Sequence, residues 1–165
     1  MMLKNLPEYA GVVAADFPYI AVTGKAGGAF NAGTVVESTD DGLSWTSADT
    51  GNLTDSVQDL ATRGVVMFDP AKGTANYATG DKITVVIWGI VACRAVGTAG
   101  IDEFELLQAG TSTDVGRVRV STYASANSVT HDHFVRVLQS HVGLALNAQN
   151  GAADSLVWVF VGVRA

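Results

Sequence analysis

Cysteine is almost absent from this chain, which carries a single one, Cys93, in 165 residues. A lone cysteine cannot form an internal disulfide, and no Cys/His spacing typical of a zinc site is present. The residues around Cys93 are apolar. We therefore expect it to be a small buried side chain and not a reactive thiol, which would need a partly exposed, electropositive site.

Charged residues are also sparse, at 16% of the chain, and the formal net charge is −6. An acidic chain offers no basic surface for nucleic acid or for an anionic membrane, so we predict neither partner. The longest apolar centre, residues 83–93, is shorter than the roughly 20 residues of a membrane-spanning helix. The beginning, MMLKNLPEYAG, lacks the apolar stretch of a signal peptide, so we expect synthesis in the cytoplasm.

Sequence motifs of the common enzyme classes are missing: there is no G-x-S-x-G, no P-loop and no dinucleotide glycine fingerprint. One cluster could carry chemistry, namely His131 and His133, with His141 eight residues further on. On a strand His131 and His133 would project from one face and could share a zinc or iron ion, as in a cupin-like enzyme. The alternative is a polar loop that enters a strand. We adopt the loop, and predict no catalytic residue, no metal and no cofactor.

Glycine, in contrast, is abundant at 18 residues, and β-branched residues form short runs. The longest run, DKITVVIWGIVACRAV over residues 81–96, is apolar on both faces and predicts a buried central strand. Gly89 within it predicts a bend where the strand passes from one sheet to the next. Such a strand needs two covering surfaces: a core on one side, and a second sheet or another subunit on the other.

Other segments extend this pattern to an all-β prediction. The fold class we expect is a small β-barrel or jelly-roll-like sandwich with one or two short helices and an extended N-terminal arm. The predicted elements are a strand at 19–22 with a turn at 24–28, a hairpin over 33–45 turning at Asp41-Gly42, strands at 117–123 and 134–138, and helices at 52–61 and 101–109.

The chain also contains two segments with a similar sequence pattern. The segment DKITVVIWG (81–89) matches DSLVWVFVG (154–162) in pattern, and a similar predicted strand precedes each of them. We predict an arm over residues 1–18, then one β-domain over 19–165 with a pseudo-duplicated strand-turn-strand unit at 64–89 and 143–162. Because the last strand is apolar on both faces, Val157, Val159 and Val161 are predicted to lie in an oligomer interface or in the core.

The arm has two possible roles. Pro7 disfavours regular structure, while Tyr9 and Phe17 are apolar anchors without a clear period. Either the arm packs on its own domain, or it docks on a partner through these three residues.

The order of these turns and strands resembles the capsid decoration, or cement, proteins of tailed bacteriophages. Those families have a "G-T-V-L" start, a "G-V-L-φ-x-D" strand, a "G-D-x-x-x-V" strand ending in glycine and a closing "G-x-A-L-x-x-A-x-x-G" hairpin. The matching residues here are Gly33, Thr34, Val35; Gly64, Val65, Val66, Phe68, Asp69; Gly80, Asp81, Val85, Gly89; and Gly143, Ala145, Leu146, Ala148, Gly151. The match covers residues 30–95 and 138–163, and residues 96–133 have no counterpart.

The resemblance implies a non-enzymatic virion protein on the outer face of a capsid, where it stabilises the shell by bridging major capsid protein subunits. Three-fold lattice sites favour a homotrimer, and two-fold sites would take a dimer. The alternative from another class is a glycan-binding β-sandwich of a virion fibre or tail, with Trp45, Trp88 or Trp158 as stacking platforms. Against that alternative, we expect Trp88 and Trp158 to be core residues, since they occupy equivalent strands.

Overall fold

The computed structural model describes residues 7–38, 42–48, 62–73, 76–97, 100–121, 141–152 and 155–162. Within these ranges the chain is almost entirely β-structure, with one 3-10 turn at Ser112–Asp114 and no helix long and apolar enough to cross a membrane. The strands are β1 (Ile20–Ala26), β2 (Val35–Ser38), β3 (Ser44–Ser47), β4 (Thr62–Val66), β5 (Lys82–Arg94), β6 (Leu106–Ala109), β7 (Val118–Val120), β8 (His141–Ala145) and β9 (Leu156–Val161).

The first five strands close into a barrel. Their order is β1-β3-β2-β4-β5, and β5 pairs back with β1. Every pairing is antiparallel except β1 with β3, which run parallel and meet at Lys25↔Ser44 and Ala26↔Trp45. The predicted all-β small barrel is therefore confirmed, and so is the hairpin predicted over residues 33–45.

The second sheet starts from the same long strand. Its order is β5-β9-β8-β6-β7, and a parallel bridge at Ala95↔Val118 brings β7 back beside the end of β5. Read through that bridge, the second group runs β5-β7-β6-β8-β9, so both groups of five follow the order first-third-second-fourth-fifth along the chain. β5 is the last strand of one group and the first of the other. The hairpins β4–β5 and β8–β9 occupy equivalent places in this scheme. That the strand-turn-strand units at 64–89 and 143–162 arose by duplication remains a prediction.

Gly89 is the point where β5 leaves the barrel. Before it, β5 pairs with β1 and β4, and from Gly89 onward it pairs with β9. The backbone at Gly89 has φ +127°, and a Cβ atom there would lie 2.6 Å from Cβ of Tyr19. Both features require glycine, because other residues rarely adopt this φ and none would fit. The bend predicted at Gly89 is confirmed.

Two hydrophobic clusters cover the two faces of the barrel strands. The cluster inside the barrel draws on all five of its strands: Ala26, Val36, Trp45, Val66, Ile83 and Val85, together with Phe30 and Tyr77. The neighbouring residues on the opposite face, such as Val35, Val65 and Val86, join the inner face of the second sheet in another cluster. The second sheet thus supplies the second covering surface, and the apolar pattern by itself does not require another subunit.

One predicted helix is wrong. Residues 101–109 begin with a bridge from Ile101 to Gln149, turn at Phe104 and continue as β6. Phe104 has φ +69° and is 65% exposed, so the backbone leaves the helical region where the helix needed an inward-facing ring. Leu107 and Ala109 are buried at the alternate positions of a strand.

The remaining local predictions had mixed outcomes. The turn predicted at residues 24–28 is wrong in its first half, because β1 continues through Gly24 and Lys25 to Ala26. The strand predicted at 117–123 is present as β7. The helix at 52–61 and the strand at 134–138 lie outside the described residues.

Candidate functional site

The N-terminal arm is a strand-like edge of the second sheet. The amide of Gly11 donates to the carbonyl of Ala92 at 2.7 Å, and the amide of Ala14 donates to Ile90 at 2.9 Å. In return, the amide of Ala92 donates to Val12 at 3.0 Å. These bonds pair the arm with the free side of β5, opposite β9. Residues 11–14 are therefore part of the folded domain.

The three arm residues predicted to bind a capsid are only partly available. Tyr9 stacks on Phe68 with ring centroids 5.1 Å apart and planes 4° apart, and it remains 38% exposed. Phe17 is half-buried against the cluster of Ala14, Ile90, Ala92 and Trp158, and Pro7 is half-buried as well. All three therefore keep some exposed area, and a role for them in capsid contact stays a prediction.

Val157, Val159 and Val161 lie in the cluster between the barrel and the second sheet, each at most 1% exposed. Of the two alternatives, oligomer interface or core, the structure places their side chains in the core. The alternate residues of β9, Trp158 and Phe160, face the other side and pack near the arm.

The three tryptophans occupy different environments. Trp45 is fully buried in the barrel and donates from Nε1 to the carbonyl of Gly42 at 2.9 Å, and Trp158 is 5% exposed. Trp88 is 37% exposed, and its ring meets Phe160 edge-on at 5.6 Å. The prediction that Trp88 is a core residue is wrong. Trp88 directly precedes the bend at Gly89, where β5 leaves the barrel.

Tyr19, Ile20 and Trp88 together form an exposed apolar surface, which we call the aromatic patch. Their exposed fractions are 44%, 56% and 37%. Ile20 pairs with Trp88 across β1 and β5, and Tyr19 lies directly over Gly89. Sequence reasoning missed this patch. The available signal was the run of Tyr19 and Ile20 directly after Pro18, where the strand begins.

An open groove of about 560 Å³ lies beside the β4–β5 connection, and two aspartates of the decoration-protein pattern line it. Asp81 accepts hydrogen bonds from Nζ of Lys72 and from the amide of Ala78, and these bonds hold the pKa of its carboxyl below the ordinary value. Asp69 accepts from the amide of Ala71 at 2.9 Å. Both carboxylates serve turns of the chain, which is the usual role of aspartate there.

Tyr77 lines the same groove. Its hydroxyl donates to the carbonyl of Met67 at 3.1 Å, and Nζ of Lys72 lies 4.9 Å from its ring centre. Burial is the main cause that raises the pKa of Tyr77. A phenol that is bonded to the backbone in this way serves the packing of the groove wall.

The histidines weighed as metal ligands are only partly described. His131 and His133 lie outside the described residues. His141, at the start of β8, places Nε2 3.1 Å from Oγ of Ser121, and burial, helped by the charge of Arg63, holds its pKa below the ordinary value. Among the described residues no group of three His, Cys, Asp or Glu side chains could hold a metal ion.

A partly buried ion pair near His141 was also missed. Arg63 of β4 is 7% exposed and contacts Oε2 of Glu37 on β2 at 3.1 Å, and the two residues are register partners. Their signal in the sequence was a charge of each sign in otherwise apolar strands. Cys93 is fully buried, as predicted, and desolvation raises the pKa of its thiol.

No model of a protein family matches the chain, and no curated protein matches it. Among solved structures, it is similar to the N base of head fiber gp8.5 of bacteriophage phi29. The identity is 15% and the TM-score 0.46, over 87% of this chain and 94% of that one. Values this low carry neither fold nor function from one protein to the other, so the barrel is established by the strand pairing of this chain itself.

Proposed function

We propose that this chain is a non-enzymatic structural protein of a tailed-phage virion. It binds the outer surface of the capsid and stabilises the shell by bridging major capsid protein subunits. The observation that carries the proposal is where the residues shared with decoration proteins lie. The six glycines among them lie where the backbone needs a positive φ or a close approach of strands, and a pattern of that kind is expected of a shared scaffold.

Four glycines of the pattern illustrate this. Gly33 and Gly80 have φ +77° and +89°, which favour glycine. Gly64 lies where a Cβ would meet Val85 at 2.5 Å, and Gly143 where it would meet the carbonyl of Phe160 at 2.1 Å. Strands must approach closely at both. A rigid scaffold of this type suits a clamp, because weak contacts repeated over a lattice add up to high avidity.

Shell binding is tested by sedimentation. The purified chain is mixed with expanded, DNA-free shells of tailed phages and centrifuged. We expect saturable co-sedimentation at a fixed ratio to the major capsid protein, and a higher melting temperature of the decorated shell. Failure to bind any shell would contradict the proposal.

The part of the arm in shell binding needs a point variant, since removing residues 1–17 would also remove the strand pairing of residues 11–14 with β5. Tyr9→Ala removes an exposed ring and leaves that pairing in place. Phe104→Ala is the matched control, because it removes an exposed ring from the second sheet. We expect weaker shell binding for Tyr9→Ala alone, and equal binding by both variants would remove the arm from the interface.

The second candidate function, glycan binding by a virion fibre or tail, gains support from the exposure of Trp88 beside Tyr19. Aromatic faces of this kind offer stacking surface together with a polar edge. A glycan array probed with the wild-type chain and with Trp88→Ala separates the candidates. Binding that is lost in Trp88→Ala favours the glycan role, whereas absence of binding to every glycan excludes it.

A further inference from the structure

Residues 10–14, which we call the strap, lie between the barrel and the second sheet and bond to both. The carbonyl of Gly11 accepts a hydrogen bond at 2.9 Å from the amide of Phe68, just beyond the end of β4 in the barrel. The amide of Gly11 donates at 2.7 Å to Ala92, in the part of β5 that pairs with β9. One residue of the strap therefore joins two regions whose strands separate at Gly89.

The side chains of the strap contribute to the clusters on both faces of the second sheet. Val13 forms an antiparallel bridge with Val91 and packs against the cluster shared with the barrel. Ala14 is 7% exposed and belongs to the cluster on the other face, together with Ile90 and Trp158. Because successive residues of a strand point to opposite faces, the strap completes the packing on both sides of β5.

The crossing at Gly11 has no room for a side chain. Its φ is +80°, and a Cβ atom there would lie 2.6 Å from the carbonyl oxygen of Val66 and 2.8 Å from the amide nitrogen of Gly33. A Cβ atom on Gly33, in turn, would collide with Cβ of Ala10. Two glycines thus let the strap cross the barrel in direct backbone contact, which a larger residue at either position would prevent.

We propose that the strap fastens the second sheet to the barrel, and that it opens and closes as one piece while the rest of the fold stays intact. Among the described residues, four backbone hydrogen bonds join it to β5 and to Phe68. The segment that follows adds little, because Ala15, Asp16 and Pro18 are exposed. Elements with few bonds and little buried surface open at a lower free energy than the core strands of the same protein.

An open strap uncovers one side of the apolar core between the barrel and the second sheet, because Val13 leaves it. It also uncovers the outer face around Ile90 and Trp158, because Ala14 leaves that cluster. The inference does not depend on the virion role, since it concerns the chain alone in solution.

The first test is residue-resolved amide hydrogen exchange of the wild-type chain. The amides of Phe68 and Ala92 lie in different regions, yet both donate to the strap. A single opening event gives these two amides the same protection, below that of Val66, whose amide donates within the barrel. Protection that differs between Phe68 and Ala92, or that equals the protection of Val66, would overturn the proposal.

Gly11→Ala should shift the strap toward its open form, because a Cβ atom does not fit at the crossing while the strap is closed. Backbone strain of this kind predicts exchange that is roughly 5- to 150-fold faster, by the same factor at Phe68 and at Ala92. Gly28→Ala is the matched control, since a Cβ there meets no atom within 4 Å, and it should leave both amides unchanged.

A second variant covers the case in which Gly11→Ala fails to fold. Ala14→Asp places a charge in the cluster with Trp158, away from the crossing, whereas Ala15→Asp places the same charge at the exposed neighbouring position. Ala14→Asp should accelerate exchange at Phe68 as well as at Ala92, although Phe68 bonds to the other end of the strap, and Ala15→Asp should accelerate neither. Faster exchange at Ala92 alone would show that the strap frays residue by residue, and would refute opening as one piece.

Discussion

The barrel and the second sheet share β5 and follow the same strand order, yet their cores are built differently. The barrel encloses Phe30, Trp45 and Tyr77 within its own five strands. The second sheet packs aliphatic side chains such as Leu107 and Val159 against the outer face of the barrel, and its cluster contains no aromatic ring among the described residues. The barrel therefore has a core of its own, whereas the core of the second sheet includes residues of the barrel.

The largest effect expected from this difference is that of Trp45→Ala. Removing a fully buried indole should cost about 3–5 kcal/mol of the free energy of unfolding. Because the second sheet rests on the barrel, amide hydrogen exchange should accelerate in both regions. Chemical denaturation and residue-resolved exchange measure the two quantities, and a second sheet that stays protected would show that it folds independently.

Leu107→Ala tests the other half of the comparison. It should cost about 2–4 kcal/mol, since it leaves a cavity between the barrel and the second sheet. The accelerated exchange should concentrate in β6 to β9, while amides near the aromatic core, at Val36, Val66 and Val85, retain most of their protection. Equal acceleration in both regions would mean that the chain opens as one unit.

The junction between the regions is tested by Gly89→Ala. A φ of +127° and a 2.6 Å contact with Cβ of Tyr19 predict a loss of about 1–3 kcal/mol in the free energy of unfolding. Gly28→Ala is the matched control, because a Cβ there meets no atom within 4 Å. We expect the melting temperature of Gly28→Ala to stay near that of the wild type, and equal melting of the two variants would remove the special role of the bend.

The smallest effect is a pH dependence of stability caused by His141 at the start of β8. Burial holds the pKa of His141 below its ordinary value in the folded chain, so the unfolded chain binds more protons once the pH falls below about 6.5. Stability should be complete above that pH and decline slightly as the pH falls toward the folded pKa. Thermal melts of the wild type and His141→Gln should differ in slope between pH 7.5 and 5, and parallel slopes would contradict the effect.

The sequence predicted the barrel and its central strand because those features follow from local patterns. The apolar run around Val85 and Val91 and the glycine between them mark a strand that crosses two sheets. The sequence could not show whether a second sheet or another subunit covers the other face of this strand. Intrachain packing and a subunit interface demand the same apolar residues, and long-range topology decides between them.

The failures have a common physical origin. In residues 101–109, spacing by three positions matched a helix, but pairing with β8 selected the strand. Trp88 was predicted to be a core residue because residues 81–89, which contain it, resemble residues 154–162, which contain the buried Trp158. Nothing in the local sequence indicates that β5 bends away from the barrel one residue later and leaves that ring at the surface.

The most direct test of the proposed function is electron microscopy of expanded tailed-phage shells incubated with the purified chain. We expect added density at fixed lattice positions on the outer surface, which the barrel and the second sheet fit and which contacts more than one capsid subunit. Shells that remain bare at saturating protein, or density confined to a fibre or tail, would contradict it.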